Sequence, residues 1–283
     1  MANKRRPLIH LKSADEIRAM ESCGRIIAAL FAELEPRVAP GVPTAALDRF
    51  VDGFVRSHEG AVPAFKGLYG FPGSACISIN EEVVHGIPSS RSLRAGDIVS
   101  IDVGVKQGGW CADSAFTFPV GEIGPEAAGL LQVTRRALDA AVAAAVAGRH
   151  VGDIGAAVVE TVRPSGYAII RDLVGHGIGR AIHEEPQVSN IGRAGFGVPL
   201  QPGMVLAIEP MLAVGTAEIR TLSDRWTVTS LDGSLSAHFE HTVAVTETGP
   251  RILTGGAIWD RAAMATGRGA PERAGTGATV PQS

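Results

Sequence analysis

The sequence predicts an α+β protein built from two similar halves. Helical periodicity and strand-like alternation occupy separate segments, and the same order of segments occurs twice along the 283 residues. "LRAGDIVSID" at 93–102 aligns without a gap with "LQPGMVLAIE" at 200–209, an offset of 107 residues. The same offset relates Gly41 to Gly148, each of which lies between two predicted helices. We therefore expect one domain with two related halves. The alternative is chance similarity between two strands that follow glycine turns.

The elements of the first half are two helices followed by strands. Ser13 with Glu16 three residues later forms a capping box, and apolar residues then recur at helical spacing until Pro36 closes the run. A second helix is predicted from near Thr44 to Gly60. Period-2 alternation and flanking turn residues predict strands at 76–80, 97–105 and 114–120.

The second half repeats this order. Pro125 opens a long Ala/Val-rich helix that ends near Gly148, and a shorter helix follows at about 153–164. Strand-like runs follow at 167–174, 203–212 and 236–247. The chain has almost no apolar content after Met264, and we expect a catalytic domain over 1–256 and a disordered C-terminal tail over 257–283.

Composition excludes several classes of protein. With 45% hydrophobic and 19% charged residues, the chain is typical of a soluble globular protein. Its net charge of −3 provides no field that would attract nucleic acid. No apolar run approaches the roughly 20 residues that span a bilayer, and no secretory signal is present. Three cysteines without a metal-binding spacing indicate reduced thiols. We expect a cytoplasmic protein with neither a membrane nor a nucleic-acid substrate.

Two acids lie on one face of a predicted hydrophobic hairpin. Asp102 stands between Ile101 and Val103, where a buried, unpaired carboxylate is costly. A turn centred between residues 107 and 108 places Asp102 opposite Asp113, and a turn one residue later places the two acids diagonally. Both geometries keep the two carboxylates on the same face, because side chains alternate along a strand. Like charges so placed require a cation.

The second half contains two further acids in apolar surroundings. Glu209 lies in "VLAIEPML" and Glu240 in "SAHFEHTVAV", both predicted strands. A single such acid could pair with an arginine, and Arg180 and Arg220 are candidates. Four acids, two of them related by the repeat, favour divalent metal instead. Carboxylate oxygen and imidazole nitrogen together suit Mn, Fe, Co or Zn.

The stretch "GHGIGRAIHEEP" at 175–186 supplies imidazoles among glycines that disfavour a helix. Of its two histidines, His176 and His183, one can bind a metal, and the other can donate a hydrogen bond to the substrate or to the tetrahedral intermediate. His241 is excluded as a ligand because it lies on the opposite strand face from Glu240. His238 shares that face but is also left outside the expected ligand set.

Together these motifs resemble bacterial type I methionine aminopeptidases. The blocks occur in the family's order from about residue 12 to 254, with Asp113 eleven residues after Asp102. They are "VVHGIP" at 83–88, "IDVG" at 101–104, "GHGIGRAIHEEPQV" at 175–188, "IEPM" at 208–211 and "FEHT" at 239–242. The resemblance implies the pita-bread fold, in which two pseudo-twofold-related halves present a curved antiparallel sheet backed by helices.

The resemblance also implies a site with two divalent metal ions, Co, Mn, Fe or Zn. The implied ligands are Asp102, Asp113, His176, Glu209 and Glu240. By the same resemblance, Asp113 and Glu240 are shared between the ions, and Glu209 also shuttles a proton. His183 is expected to contact the scissile amide and its developing oxyanion. His85 is expected to contact the substrate near its free amine or its leaving amide.

The methionine pocket of the family maps onto six positions here. They are Phe65, Leu68, Phe71, Cys76, Ile182 and Trp226. At the second position Tyr69 is the alternative to Leu68. Gly104 and Cys111 stand where other members often carry a threonine and a histidine. Neither is an expected ligand, so these departures concern substrate recognition and not the metal site.

The implied activity is removal of the N-terminal initiator methionine from nascent proteins and peptides with a small second residue. A water held between the two metals attacks the carbonyl, and one metal takes the free amine. We also expect a monomer that contacts the ribosome transiently. One alternative is an Xaa-Pro peptidase on the same fold, although such relatives usually carry an additional N-terminal domain. Another is a metal-free pita-bread binding protein, although such proteins lose ligands.

Overall fold

The computed structural model describes residues 9–265. Its helices are α1 (Ala14–Leu34), α2 (Thr44–Arg56), α3 (Pro125–Ala144), α4 (Val151–Val162) and α5 (Ala257–Ala265). The predicted capping box begins α1: Ser13 Oγ accepts from the Glu16 amide, and the Glu16 carboxylate accepts from the Ser13 amide. Within this range, no helix is both long and apolar enough to cross a membrane.

The first half contains five strands, four of which form a sheet around one long hairpin. Its strands are β1 (Ala61–Pro63), β2 (Cys76–Ile79), β3 (Glu82–Val84), β4 (Ile98–Gln107) and β5 (Trp110–Pro119). Strand β4 pairs antiparallel with β1, β2 and β5. Helix α1 packs against β4 and β5 and buries one apolar stripe there, which includes Met20, Ile27 and Leu34.

The second half has a larger sheet and shorter strands. They are β6 (Ala168–Ile169), β7 (Val174–Gly177), β8 (Glu184–Ser189), β9 (Val205–Ile208), β10 (Met211–Ala213), β11 (Ile219–Thr221), β12 (Val228–Ser230), β13 (Ser236–His238), β14 (His241–Thr246) and β15 (Gly249–Ile252). The large sheet has the order β15-β14-β9-β7-β8, and β10 lies between β13 and β6 in a smaller one. A third sheet, β11-β12-β3, combines strands from both halves. The predicted α+β class is confirmed.

The backbone reproduces the internal repeat at the predicted offset. The Gly41 amide donates to the Leu93 carbonyl at 2.7 Å, and the Gly148 amide donates to the Leu200 carbonyl at 3.0 Å. Members of these two pairs are 107 residues apart in sequence. Each bond ties the turn between two helices to the chain that leads into a strand. Chance similarity between two strands does not explain hydrogen bonds that match across two separate segments.

The two halves meet where the acids lie. Strand β5 of the first half runs beside the β13–β14 segment of the second half. The Glu240 amide donates to the Ala115 carbonyl at 2.9 Å, and Thr117 Oγ1 donates to the His238 carbonyl at 2.7 Å. Thr242 Oγ1 donates to the Asp113 carbonyl at 2.8 Å. The carboxylates of both halves therefore share one rigid junction.

The C-terminal boundary differs from the prediction. A disordered tail was expected from residue 257, but Ala257–Ala265 forms helix α5. Ile258 and Trp259 are buried, which supplies the apolar contact that holds this short helix to the domain. The polar composition that predicts a tail begins after Met264, and the boundary at 257 includes the apolar residues of this helix in the tail. Residues 266–283 lie outside the described part of the chain.

Gly96 and Gly203 occupy equivalent positions in the two halves, so their substitution can be compared. Gly96 and Gly203 have φ of 93° in both cases, a conformation that L-residues adopt at a cost of about 1–3 kcal/mol. A Cβ on Gly96 meets nothing within 4 Å, whereas one on Gly203 lies 2.8 Å from the Lys12 carbonyl oxygen. We predict that Gly96→Ala and Gly203→Ala both lower the free energy of unfolding in urea, with Gly203→Ala causing the larger loss. Equal losses would contradict the close approach.

Candidate metal centre

The β4–β5 hairpin places its two acids diagonally on one face. Gln107 pairs with Trp110, so the turn is centred between Gly108 and Gly109, both at positive φ. Asp102 therefore faces Ala115, and Asp113 faces Gly104. This register is the later of the two turn positions considered from the sequence. It leaves both carboxylates on the face that meets the second half.

Glu209 and Glu240 occupy breaks between strands and do not lie inside strands as predicted. Ile208 pairs with His241 and Met211 pairs with His238, and this single register sets Glu209 opposite Glu240. Pairing stops between them because Pro210 has no amide hydrogen. The Glu240 amide also donates its hydrogen bond to the Ala115 carbonyl of the first half and not to a strand of the second half. The break frees both carboxylates from regular sheet packing and directs them to the junction.

His176 supplies the nitrogen donor. A bulge follows it in β7, and a Cβ on Gly177 would overlap the Glu185 carbonyl, so only glycine fits there. His176 Nδ1 contacts the Gly177 carbonyl at 3.0 Å. Donation of this hydrogen bond puts the proton on Nδ1 and leaves Nε2 as the ligand atom. Nε2 lies 3.6 Å from Asp113 Oδ2 and 3.6 Å from Glu209 Oε1.

The acids and His176 form one buried cluster. Ligand atoms of Asp113, His176 and Glu240 lie within 4.8 Å of one another. Burial raises the pKa of Asp102, Asp113 and Glu240, and neighbouring carboxylates raise those of Asp102 and Glu240 further. Burial likewise raises the pKa of Glu209 to about 8. In the protein alone, these groups therefore resist ionisation together.

The donor set fits divalent cations and lacks a basic partner. Asp102 Oδ1 is buried with no hydrogen-bond partner. Among residues 9–265, no lysine or arginine forms an ion pair with any of the four acids. Of the two candidate arginines, Arg180 lies over the Trp110 ring at 3.8 Å, and Arg220 is exposed. Oxygen and imidazole donors in this environment suit a hard to borderline metal ion.

His183 and His85 stand beside this cluster. The His183 ring meets the His176 ring edge to face at 4.5 Å and stacks on Tyr69 at 5.9 Å. Desolvation, followed by the nearby His176 and His85, lowers the pKa of His183 to about 4. His183 is therefore a neutral donor at neutral pH. His85 has a positive φ of 59° and lines the same cavity as His183.

An apolar cavity adjoins the cluster through Asp102. Its lining consists of Phe65, Leu68, Tyr69, Phe71, Cys76, His85, Asp102, His183 and Trp226. Five of the six residues mapped to the pocket are among them, and Leu68 and Tyr69 both take part. Ile182 is the exception. It is 5% exposed within the main hydrophobic core, because its neighbour His183 takes the position that faces the cavity.

Gly104 accounts for one departure from the family pattern. A Cβ on Gly104 would lie 2.6 Å from Cε1 of Phe65, so the glycine lets that ring approach β4 closely. The Phe65 ring is thereby held at the cavity wall beside Asp102. Cys111 is the other departure; it is buried, and burial raises its pKa to about 12. All three cysteines, Cys23, Cys76 and Cys111, are free, as predicted.

His238 is a site residue that the sequence interpretation left out. Its Nε2 is buried without a hydrogen-bond partner and lies 3.5 Å from Glu209 Oε2. Glu209 is therefore flanked by His176 at one carboxylate oxygen and by His238 at the other. The sequence shows that His238 shares a strand face with Glu240. Its approach to Glu209 follows from the pairing of His238 with Met211, which the sequence alone does not show.

Comparison with known proteins agrees with this geometry. The profile of Metallopeptidase family M24 matches residues 18–247. The chain belongs to this family. Members of M24 are hydrolases that use divalent metal, so the family and the donor set point to the same chemistry. The match spans both halves of the molecule and ends before helix α5.

The chain matches several methionine aminopeptidases over nearly their whole length. The methionine aminopeptidase of Clostridium acetobutylicum is 49% identical over 248 residues, 87% of this chain and 99% of that protein. The crystal structure of methionine aminopeptidase from Rickettsia prowazekii has a TM-score of 0.86 and 38% identity, covering 88% of this chain and 100% of that one. The predicted resemblance and the pita-bread fold are confirmed.

A more distant M24 structure shares the fold alone. The Xaa-Pro dipeptidase from Bacillus anthracis has a TM-score of 0.70 and 22% identity, covering 86% of this chain but 61% of that one. This difference in length agrees with the expectation that Xaa-Pro peptidases on this fold carry additional sequence.

The metal-free M24 protein should lose stability as pH rises from 7 to 8. The unfolded chain releases the Glu209 proton near pH 4.3, whereas the folded protein holds it until about pH 8. Raising the pH therefore favours unfolding, by up to about 1.4 kcal/mol per pH unit for each such group. Burial lowers the pKa of four histidines, and the unfolded chain still binds protons on them near pH 6.5, so they oppose this trend at the low end. Above pH 7 they are largely neutral in both states; they are His85, His183, His238 and His241.

Urea unfolding of chelator-treated protein at several pH values measures this slope. Added Mn²⁺ should remove it, since the cation replaces the protons among the acids. A metal-free stability that is constant or rises across this window would contradict the raised pKa values.

Proposed function

We propose that this chain removes the N-terminal methionine from nascent proteins and peptides with a small second residue. The observation that carries this proposal is a buried cluster of Asp113, His176 and Glu240. Asp102, whose pKa is raised by burial and by neighbouring Asp113, lines the adjoining apolar, aromatic-walled cavity. A hydrolytic centre beside a cavity for one apolar side chain fits an exopeptidase that recognises methionine. The names of the full-length relatives support the same activity.

We propose that the centre holds two divalent ions. Asp102, Asp113, His176, Glu209 and Glu240 would be the ligands, with Asp113 and Glu240 shared. When bound, the ions would polarise the scissile carbonyl and lower the pKa of the attacking water. Their identity among Co, Mn, Fe and Zn depends on availability as well as on these ligands.

The chain's own side chains then divide the remaining tasks. The methionine side chain enters between Phe65, Phe71 and Trp226, whose rings exclude water. His183, neutral at working pH, donates a hydrogen bond to the carbonyl oxygen as negative charge develops there. Glu209 accepts the proton of the attacking water and passes it to the leaving amine. His85 contacts the substrate near the amine or the leaving amide.

Two observations favour this activity over the alternatives. The chain matches methionine aminopeptidases over almost their whole length, but spans only 61% of the Xaa-Pro dipeptidase. The metal-free alternative requires lost ligands, whereas all five expected donors are present in the sequence. Ligand atoms of three of them, Asp113, His176 and Glu240, lie within 4.8 Å of one another, which supports a metal site. An unpartnered carboxylate oxygen on Asp102 further supports bound cations.

Methionine release from Met-Ala-Ser, with and without chelator, tests the proposal. We expect release that chelator abolishes and that one or more of Co²⁺, Mn²⁺, Fe²⁺ and Zn²⁺ restores. Met-Phe-Ser should be cut more slowly, and an Xaa-Pro peptide should resist cleavage. Preference for the Xaa-Pro peptide would favour an Xaa-Pro peptidase. Metal-independent methionine release would contradict the proposed metal site.

Asp113→Ala should abolish turnover while the fold persists. Loss of a residue that merely supports a ligand costs about 10–100-fold, so we expect a loss above about 100-fold here. Glu247→Ala, which removes an exposed acid, is the matched control. Circular dichroism checks folding in both variants. Near-normal kcat/KM in Asp113→Ala would exclude this carboxylate from the centre.

Three further expectations stay predictions. They are a monomeric state, transient contact with the ribosome and a cytoplasmic location. Light scattering of the purified chain tests the first, and cosedimentation with ribosomes tests the second.

A further inference from the structure

Helix α5 brings a large aromatic side chain to the back of the metal centre. The M24 match ends at residue 247, so this helix lies outside the segment that identifies the family. Trp259 is 3% exposed, and its ring lies 3.9 Å from the His241 ring and 6.1 Å from the Phe239 ring. These two residues flank Glu240 on either side. Phe116 completes the contact at 4.9 Å.

The first half holds the Glu240 backbone from one side: its amide donates to the Ala115 carbonyl, and its carbonyl accepts from Ser114 Oγ. Regular pairing with the strand that precedes Pro210 stops here, and Trp259 and its contacts lie on the other side. The Phe239 amide reaches the Pro210 carbonyl only at 3.5 Å, at the long limit for a hydrogen bond. In extended chain, successive side chains point to opposite sides. Glu240 therefore faces the acids while Phe239 and His241 face Trp259. The indole packs against both neighbours of the carboxylate and limits its movement.

The same region also reaches Asp113. His241 Nδ1 contacts Thr254 Oγ1 at 2.8 Å, and that oxygen accepts from the Thr242 amide at 3.2 Å. Thr242 Oγ1, which donates to the Asp113 carbonyl at 2.8 Å, also lies 3.1 Å from Asp113 Oδ1 and shares its one hydrogen between the two oxygens. The C-terminal segment thus contacts the backbone next to both acids that we expect the two metals to share.

Trp259 is itself firmly held. The Arg135 guanidinium lies 4.4 Å from the centre of its ring, and Arg135 Nη2 donates to the Trp259 carbonyl at 3.3 Å. The neighbouring Ile258 is 2% exposed and packs in the main core. The helix is therefore anchored at two adjacent side chains, of which one has ring contacts with the residues that flank Glu240.

We propose that Trp259 is a positioning residue for the metal centre, holding Glu240 in its ligand geometry from behind. This inference rests on the proposed metal site. It assigns part of the centre's organisation to a helix outside the matched family segment. It also explains why a short C-terminal helix buries its tryptophan beside the acids and not at a distant surface.

Isothermal titration of the full chain with Mn²⁺ tests the proposal, with thermal unfolding measured alongside. Trp259→Ala should weaken Mn²⁺ binding by about tenfold, as expected for a residue that orients a ligand. Trp259→Phe keeps a ring against His241 and should restore most of the affinity. Trp259→Leu fills space without a ring and should bind more weakly than Trp259→Phe, which provides a second comparison if the alanine variant does not fold.

Ile258→Ala is the matched control in the same helix. It should lower the melting temperature without changing Mn²⁺ affinity, because Ile258 makes no ring contact with Phe239 or His241. Equal loss of affinity in Ile258→Ala and Trp259→Ala would reduce Trp259 to a stabilising contact and overturn the proposal. Unchanged affinity in Trp259→Ala would also overturn it.

The unaltered chain separates this inference from the proposed function. If it binds Mn²⁺ but releases no methionine from Met-Ala-Ser, the proposed activity fails, and the tryptophan comparison still decides the positioning role. If it binds no Mn²⁺, the metal site and the positioning role fail together.

Discussion

Repulsion among four buried carboxylates is the constraint on which the centre depends. Asp102, Asp113, Glu209 and Glu240 are gathered at one junction, where burial raises the pKa of each. No lysine or arginine among the described residues 9–265 pairs with them. Packing that forces such groups together is costly unless cations compensate. A divalent metal therefore belongs to the stability of this fold as well as to its chemistry.

The internal repeat explains how the chain brings the acids together. The two aligned segments, 93–102 and 200–209, each end in an acid. These acids are Asp102 in β4 and Glu209 after β9. Each half adds a second acid from the neighbouring strand segment, Asp113 or Glu240. Hydrogen bonds between Thr242 and Asp113 and between Glu240 and Ala115 lock the two halves at this point. The relative positions of the four carboxylates are thus set by the junction between the two halves.

The sequence predicted the fold and pointed to the acids of the proposed site because both signals rest on local pattern. An acid inside an apolar run, such as Asp102, is visible without a structure, and a repeat at constant offset is visible too. Breaks in strand pairing were not visible, because Pro210 ends a ladder only once its partner strand is known. His238 and Trp259 were missed for a related reason: their roles depend on contacts across distant segments, and composition assigned Trp259 to a tail.

The most direct test of the central claim is anomalous diffraction at the manganese edge from crystals grown with Mn²⁺. Two anomalous peaks are expected among the carboxylates of Asp102, Asp113, Glu209 and Glu240, with His176 Nε2 as a further ligand. Gathered acids with no manganese between them, or manganese bound only elsewhere, would contradict it.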